Sequence, residues 1–206
     1  MGWCVENHYL PVNPVTIGKA LTEHKEPETL NLAQVKEVLW VAMSFKDGVL
    51  APYFASAVFG GLRPKELARL NRSKINLKDC YFNLDGEVTK TRRTRHVEIN
   101  PNLGEWLLRY QDTPFVGPNW RRDFDAVRKM VGFRVRSDHD DEEKERWVED
   151  VLRHTALSNH HAICNDEKRT AEWAGNSVDT LHKHYRRNVP KQNGVSPEWR
   201  LVNSYI

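Results

Sequence analysis

Four residues that could act on a phosphate group follow one another along the chain: Arg63, Lys90, Arg153 and Tyr185. Guanidinium groups stay charged at any working pH and can bind phosphate oxygens through paired hydrogen bonds. An ammonium group can give a proton to a departing oxygen, and a phenol that has lost its proton can attack phosphorus. These residue types are therefore suited to cutting a phosphodiester through a phosphotyrosine bond.

Each of the four has a distinct task in such a reaction. We expect Arg63 and Arg153 to hold the equatorial oxygens of phosphorus, on which negative charge accumulates in the transition state. Lys90 would protonate the leaving 5′ oxygen, and the basic residues around it would lower its pKa and make it a better acid. Tyr185 has a reference pKa of about 10, and nearby guanidiniums would favour its phenolate. The reaction would need no metal and no other cofactor.

Arg63 lies in the stretch FGGLRPKELARL, in which two glycines end an apolar run and a proline follows the arginine. Pro64 suits the first turn of a helix, so Arg63 should stand where a helix begins, and such a place attracts anions. Glu66 lies one turn further on and could simply pair with Arg63. We assign it a supporting role, which is to orient the arginine rather than to react.

The hydrophobic pattern predicts a chain that is mainly α-helical with a small antiparallel β-sheet, an α+β architecture. The alternating segment around Lys90 predicts the sheet, with a turn at Asp85-Gly86. Helices are predicted on both sides of it, one over 31–45 with Asn31 as its cap and one ending at Gly175. Three tryptophans on apolar faces are expected in the core, namely Trp40, Trp106 and Trp173.

The ordered set of residues resembles the catalytic domain of the tyrosine recombinases, the phage integrase family. That family carries an arginine, a lysine on a β-hairpin, the motif His-x-x-Arg, a Gly-His or Gly-Trp pair and then the tyrosine. The matching segments here are GLRPKEL, VTKTRRTRHVEI, DVLRHT and WAGNSVDTLHKHYRR. From Arg153 to Asn176 is 23 positions, and from Asn176 to Tyr185 is 9, and both intervals agree with the family. The resemblance covers roughly residues 12–190.

The resemblance implies a site-specific recombinase or integrase that cleaves and rejoins DNA strands through a 3′-phosphotyrosine. The family's roles carry over directly to four residues, Arg63, Lys90, Arg153 and Tyr185. Lys90 and the basic residues near it could each contact DNA phosphate through their charge alone. The position of Lys90 on the hairpin favours it as the general acid. His154 is either structural or a phosphate contact. We assign DNA binding to Arg92, Arg93, Arg95, His154 and Arg186.

Two positions depart from the family pattern. Asp150 stands where the family has the histidine of His-x-x-Arg, and it could act as the base for the tyrosine or hold Arg153 in place. Asn176 stands where the family has histidine or tryptophan, and its amide can donate a hydrogen bond but cannot transfer a proton at neutral pH. Both are assigned to the catalytic site by position only, and the enzyme could be attenuated.

The resemblance also predicts how the chain is divided. Residues 1–13 would be the remnant of an N-terminal helix, 14–30 a linker, 31–190 the catalytic domain and 191–206 a C-terminal tail. The N-terminal helical domain with which the family clamps DNA would be missing. The expected partners are double-stranded DNA and three further copies of the chain, which makes four protomers on two duplexes.

Composition excludes several other classes of protein. Three widely spaced cysteines without a Cys-x-x-Cys pair argue against a disulfide framework or a zinc site, and the histidines at 160, 161, 182 and 184 lack zinc spacing. No apolar run approaches the roughly 20 residues that span a bilayer, and no secretory signal is recognisable. We therefore expect a cytoplasmic protein associated with the nucleoid.

The sequence is compatible with two other functions. A DNA-binding protein that has lost catalysis would explain Asp150, Asn176 and the missing N-terminal domain. A type IB topoisomerase would share the chemistry but would relax supercoils without exchanging strands. The wording Gly-Leu-Arg-Pro-x-Glu-Leu fits integrases better.

Overall fold

The structure, a computed structural model, describes residues 2–9, 11, 28–88, 94–133, 147–179 and 181. The α-helices in the described ranges are Gly2–Glu6 (α1), Leu32–Ser44 (α2), Ala51–Gly60 (α3), Pro64–Leu67 (α4), Pro101–Arg109 (α5), Trp120–Met130 (α6), Val151–Cys164 (α7) and Glu167–Ala174 (α8). Short 3-10 helices cover Phe45–Gly48 and Arg72–Lys74. The strands are Ile75–Asn76 (β1), Tyr81–Leu84 (β2) and Arg95–Glu98 (β3). The predicted class, mainly α with a small antiparallel sheet, is confirmed.

Helix α2 begins where the sequence predicted. The Asn31 side chain accepts a hydrogen bond from the Gln34 backbone N–H at 2.9 Å, and the Gln34 side chain accepts one from the Asn31 N–H at 2.9 Å. This reciprocal capping satisfies amide groups that the first turn of a helix leaves unbonded. The helix then buries one face, formed by Val35, Val38, Leu39 and Ala42.

Helix α3 is the centre of the domain. All ten of its residues are buried, and it packs against α2, α5 and α7. It ends at Gly61, which has φ 60° in the left-handed region that favours glycine. A side chain at this position would also come within 2.6 Å of the Trp173 ring. The chain can therefore turn sharply here, between the buried helix and Arg63.

The sheet has the strand order β1-β2-β3 and is antiparallel throughout. Phe82 lies opposite Val97, and both are fully buried. The predicted turn at Asp85-Gly86 is present, because the Val88 N–H donates to the Asp85 carbonyl at 3.0 Å. Among the described residues, the return strand begins at Arg95.

The three tryptophans predicted for the core differ in how far they are buried. Trp106 is fully buried, and Trp173 is partly buried against the core. Trp40 is 60% exposed, so its assignment to the core was wrong. It follows Leu39 directly on α2, and one residue rotates a side chain by about 100° around a helix, which turns Trp40 away from the buried face.

No helix within the described ranges combines the length and the apolar character needed to cross a bilayer.

Candidate active site

Arg63 stands at the beginning of α4, as predicted. It has an extended backbone (φ −72°, ψ 146°), and Pro64 is the first helical residue. The helix has only four residues, however, and the N–H groups of Glu66 and Leu67 both donate to the Arg63 carbonyl at 2.9 Å. Attraction for an anion at this place therefore rests on the guanidinium rather than on free helix amides.

Glu66 is 1% exposed and binds two arginines. Its Oε1 accepts from Arg63 Nη1 at 3.0 Å, and its Oε2 accepts from Arg95 Nη2 at 2.8 Å. Oε2 also accepts from the Arg63 backbone N–H at 2.9 Å. The supporting role predicted for Glu66 agrees with this geometry and stays a prediction.

Arg153 lies on the first turn of α7 and is 4% exposed. It donates to the carbonyl of Gly61 at the end of α3, and to the carbonyl of Ala174 at the end of α8 at 2.7 Å. A further bond runs from its Nη2 to Asn176 Oδ1 at 3.2 Å. The guanidinium is thus held in one place by the ends of two helices.

Asn176 bridges Arg63 and Arg153, the two arginines that are predicted to hold the phosphate oxygens. Its Oδ1 accepts from Arg63 Nη2 at 2.5 Å as well as from Arg153 Nη2. Since guanidinium nitrogens can only donate, the atom that faces them must be the amide oxygen, and the Nδ2 group is directed away from them. The structure therefore brings together Arg63, Arg153 and Asn176 at the end of α8.

Arg95, which is predicted to bind DNA, belongs to the same cluster, and its DNA-binding role stays a prediction. It donates to the Trp173 carbonyl at 2.9 Å and to Glu66, and its side chain is 17% exposed. Burial lowers the pKa of the Arg95 guanidinium, and the charge of Glu66 acts against this. The period of two along β3 is the sequence signal for this placement: Arg95 lies in phase with the buried Val97, so its side chain points inward.

Asp150 and His154 lie at the N-terminal end of α7. Asp150 has φ 66° and lines a small cavity together with Tyr53 and Arg153. Burial raises the pKa of Tyr53, and the negative charge of Asp150 adds to the rise. His154 is half-buried, and its backbone N–H donates to the Asp150 carbonyl at 2.8 Å. Both roles considered for Asp150, and the DNA-binding role of His154, stay predictions.

The other predicted site residues lie outside the described ranges. They are Lys90, Arg92, Arg93, Tyr185 and Arg186.

His160 of α7 has partners within the protein. His160 Nδ1 lies 3.1 Å from Thr170 Oγ1, and its ring stacks on Trp173 with 4.2 Å between centroids. Burial lowers the pKa of His160 to about 4. In the ranges that the structure describes, no three His, Cys, Asp or Glu residues are grouped so that they could hold a metal ion.

No family model and no curated protein matches this sequence, but solved structures do. XerA recombinase matches at TM-score 0.62 with 19% identity, over 93% of this chain and 69% of that one. The Tn1549 transposon integrase, solved with circular intermediate DNA, matches at TM-score 0.63 with 14% identity, over 97% and 73%. An integrase from mycobacterium phage Brujita matches at TM-score 0.55 with 15% identity, over 90% and 62%.

These structures share one architecture, and this chain has it too. Its fold is that of a tyrosine recombinase catalytic domain. This confirms the fold that the ordered residues implied.

Proposed function

We propose that this protein is a site-specific DNA recombinase or integrase, which cleaves and rejoins strands through a 3′-phosphotyrosine at Tyr185. The observation that carries the proposal is the convergence of Arg63 and Arg153 on a single oxygen, Asn176 Oδ1. Two guanidiniums from distant parts of the chain are thereby held within hydrogen-bonding distance of one point. Phosphate oxygens are strong acceptors for such a pair.

The charge of the cluster also supports an anionic ligand. Among the described residues, Glu66 is the carboxylate that Arg63 and Arg95 share, so two positive charges face one negative charge. Arg153 brings a third guanidinium, which donates to the oxygens of Gly61, Ala174 and Asn176 and lines a small cavity together with Asp150. Positive charge that is partly removed from water is stabilised when an anion binds next to it.

Asn176 would take part as a donor. Because its oxygen is bound by both arginines, its Nδ2 group is the part of the amide that can donate to an oxygen of a phosphate bound beside them. Removal of one donor from such a site typically costs about 10²–10³ in rate. An asparagine keeps a donor where the family has histidine or tryptophan, so we expect catalysis to be attenuated less than this.

The proposed reaction is a transfer of the phosphoryl group from DNA to the protein and back. The Tyr185 oxygen attacks phosphorus, and its proton passes to Asp150. The bond between phosphorus and the 5′ oxygen breaks, and Lys90 gives that oxygen a proton. Arg63 and Arg153 stabilise the charge on the remaining oxygens. A 5′ hydroxyl from a second strand then displaces Tyr185, and the proton transfers run in reverse.

Double-stranded DNA is the proposed partner, as it is for the integrase solved with circular intermediate DNA. We propose that four protomers act on two duplexes and that the protein works in the cytoplasm, at the nucleoid. In the proposed division of the chain, Arg63 and Arg153 belong to the catalytic domain over 31–190.

A DNA pool with bridging 5′ phosphorothiolate linkages tests this function. Sulfur leaves without a proton, so cleavage should trap a covalent complex even if Lys90 is poorly placed. We expect protein linked to DNA after denaturation in detergent, and no linkage with Tyr185→Phe. The linked DNA would identify the site.

Two other outcomes would contradict the proposal. Clear DNA binding without any linkage would favour a DNA-binding protein that has lost catalysis, with Asn176 filling the place between the arginines. Relaxation of a plasmid without any recognition site would favour a topoisomerase.

A further inference from the structure

The side chain of Arg95 lies flat against the backbone of Gly175. A Cβ atom at position 175 would come within 2.8 Å of Arg95 Nε and 2.9 Å of Arg95 Cδ. The Gly175 carbonyl in turn accepts from Arg63 Nη2 at 2.7 Å. One residue of the loop after α8 therefore contacts both arginines, one through packing and the other through a hydrogen bond.

These contacts close a ring around Arg63. Arg95 donates to Glu66 Oε2, and Glu66 Oε1 accepts from Arg63. Arg63 then returns to Gly175, against which Arg95 packs. Glu66 is buried. The loss of one of its two arginine partners would leave its negative charge only partly neutralised away from water, and we expect the carboxylate to shift toward other hydrogen-bond donors.

We infer that Arg95 is a positioning residue of the site: it fixes Glu66 and Gly175 and so holds Arg63 where it can bind a phosphate. The effect of Arg95 on catalysis rests on the proposed function, whereas the contacts of Arg95 do not depend on that function. The role differs from the phosphate contact that we had expected of Arg95.

The surroundings of Arg95 favour positioning over DNA contact. Both of its terminal nitrogens donate to protein atoms, Trp173 O and Glu66 Oε2. Its Nε is buried and has no hydrogen-bond partner among the described residues. A phosphate contact needs donors that DNA can reach, whereas this side chain is directed into the protein.

The place of Arg95 in the chain gives this role a further consequence. Arg95 is the first residue of β3, and Lys90 precedes it by five positions in the sequence. The strand that follows the proposed general acid is therefore tied to the arginine that binds the phosphate. A displacement of Arg95 would disturb Arg63 through Glu66.

Arg95→Met tests the inference, with Arg109→Met as the matched control on an exposed part of α5. At saturating DNA, we expect single-turnover cleavage by Arg95→Met to fall about 10- to 100-fold, since small misplacements at a site can cost this much. The salt dependence of DNA binding should not change, because no phosphate contact is lost. Arg95→Lys keeps the charge and one bond to Glu66, so its rate should lie in between. A melting curve for each variant identifies any that fails to fold.

Nitrogen-15 NMR of the Arg63 side chain gives a readout that does not require cleavage. Hydrogen bonds that stop rotation of the guanidinium keep its Nη signals separate, and free rotation averages them. We expect averaging in Arg95→Met and separate signals in wild type and in Arg109→Met.

Two results would overturn the inference. One is a weaker salt dependence in Arg95→Met together with an unchanged cleavage rate, which is the behaviour of a phosphate contact. The other is an Arg63 spectrum that Arg95→Met leaves unchanged. If wild type forms no covalent complex, the proposed function fails, and the spectrum alone decides the role of Arg95.

Discussion

At the scale of single residues, the site depends on which atom of each side chain faces the cluster. Asn176 presents an oxygen to Arg63 and Arg153, and Glu66 divides its two oxygens between Arg63 and Arg95. Each guanidinium donates to several acceptors from different parts of the chain. A site that is organised before its ligand arrives loses less free energy in binding it.

Asn176→Asp should separate stability from activity. The new carboxylate has the same shape, and it would form ion pairs with Arg63 and Arg153 in place of neutral hydrogen bonds. We expect thermal stability to be kept or raised, and cleavage to fall at least about 100-fold, because the charge that binds phosphate is cancelled and a donor is lost. Single-turnover cleavage and melting curves measure the two effects.

Asn119→Asp makes the same change at an exposed position before α6 and serves as the control. Full cleavage by Asn176→Asp would show that phosphate does not bind between the two arginines.

At the scale of elements, the packing between α7 and α8 supports the arginines of the site. Trp173 of α8 stacks on His160 of α7, and its ring also lies against Gly61. The Gly61 carbonyl accepts from Arg153, and the Trp173 carbonyl accepts from Arg95. The packing of these two helices therefore decides where two guanidiniums are placed.

This junction should make stability depend on pH. Burial lowers the pKa of His160 from 6.5 to about 4, so the folded state keeps the ring neutral where the unfolded state takes up a proton. Between these two values the unfolded chain binds more protons, and stability therefore falls as the pH falls from 6.5 to about 4. The melting temperature measured across this range should decline, and His160→Phe should flatten the decline.

His96→Phe, at an exposed position on β3, is the control and should leave the decline in place. An equal decline in wild type and His160→Phe would assign the pH dependence to other groups.

At the scale of the whole molecule, the described guanidiniums of the site are buried or half-buried among three helix ends and one strand. The formal net charge is only +3, with 31 basic and 28 acidic residues. Overall charge therefore supplies little attraction for DNA, and binding would depend on where the basic residues are placed. The connection between β2 and β3 carries a concentration of them in TKTRRTRH.

Salt dependence should identify the residues that contact DNA. Each phosphate contact contributes about 0.9 to the slope of log affinity against log salt concentration. We expect Arg93→Met to weaken binding and to reduce this slope by about one, with little change in the cleavage rate at saturating DNA. Arg109→Met should leave the slope unchanged. Equal slopes for all three proteins would remove Arg93 from the predicted DNA contacts.

Much of the fold could be predicted from the sequence because it depends on short-range rules. The apolar period and the cap at Asn31 predict α2, and Pro64 places Arg63 at a helix start. The resemblance to the tyrosine recombinases, which the order and spacing of Arg63, Arg153 and Asn176 support, also implied that these residues should meet. These features are local, or they belong to a pattern along the chain, so the sequence alone determined them.

Only the tertiary structure decided the partners of each side chain. Arg95 looks like one basic residue among several in the sequence, and its inward bonds to Glu66 and Trp173 depend on residues 29 and 78 positions away. The exposure of Trp40 and the orientation of the Asn176 amide were decided in the same way. The physical reason is that a hydrogen bond or a packing contact is chosen among groups that folding brings together, and a local pattern contains no information about those groups.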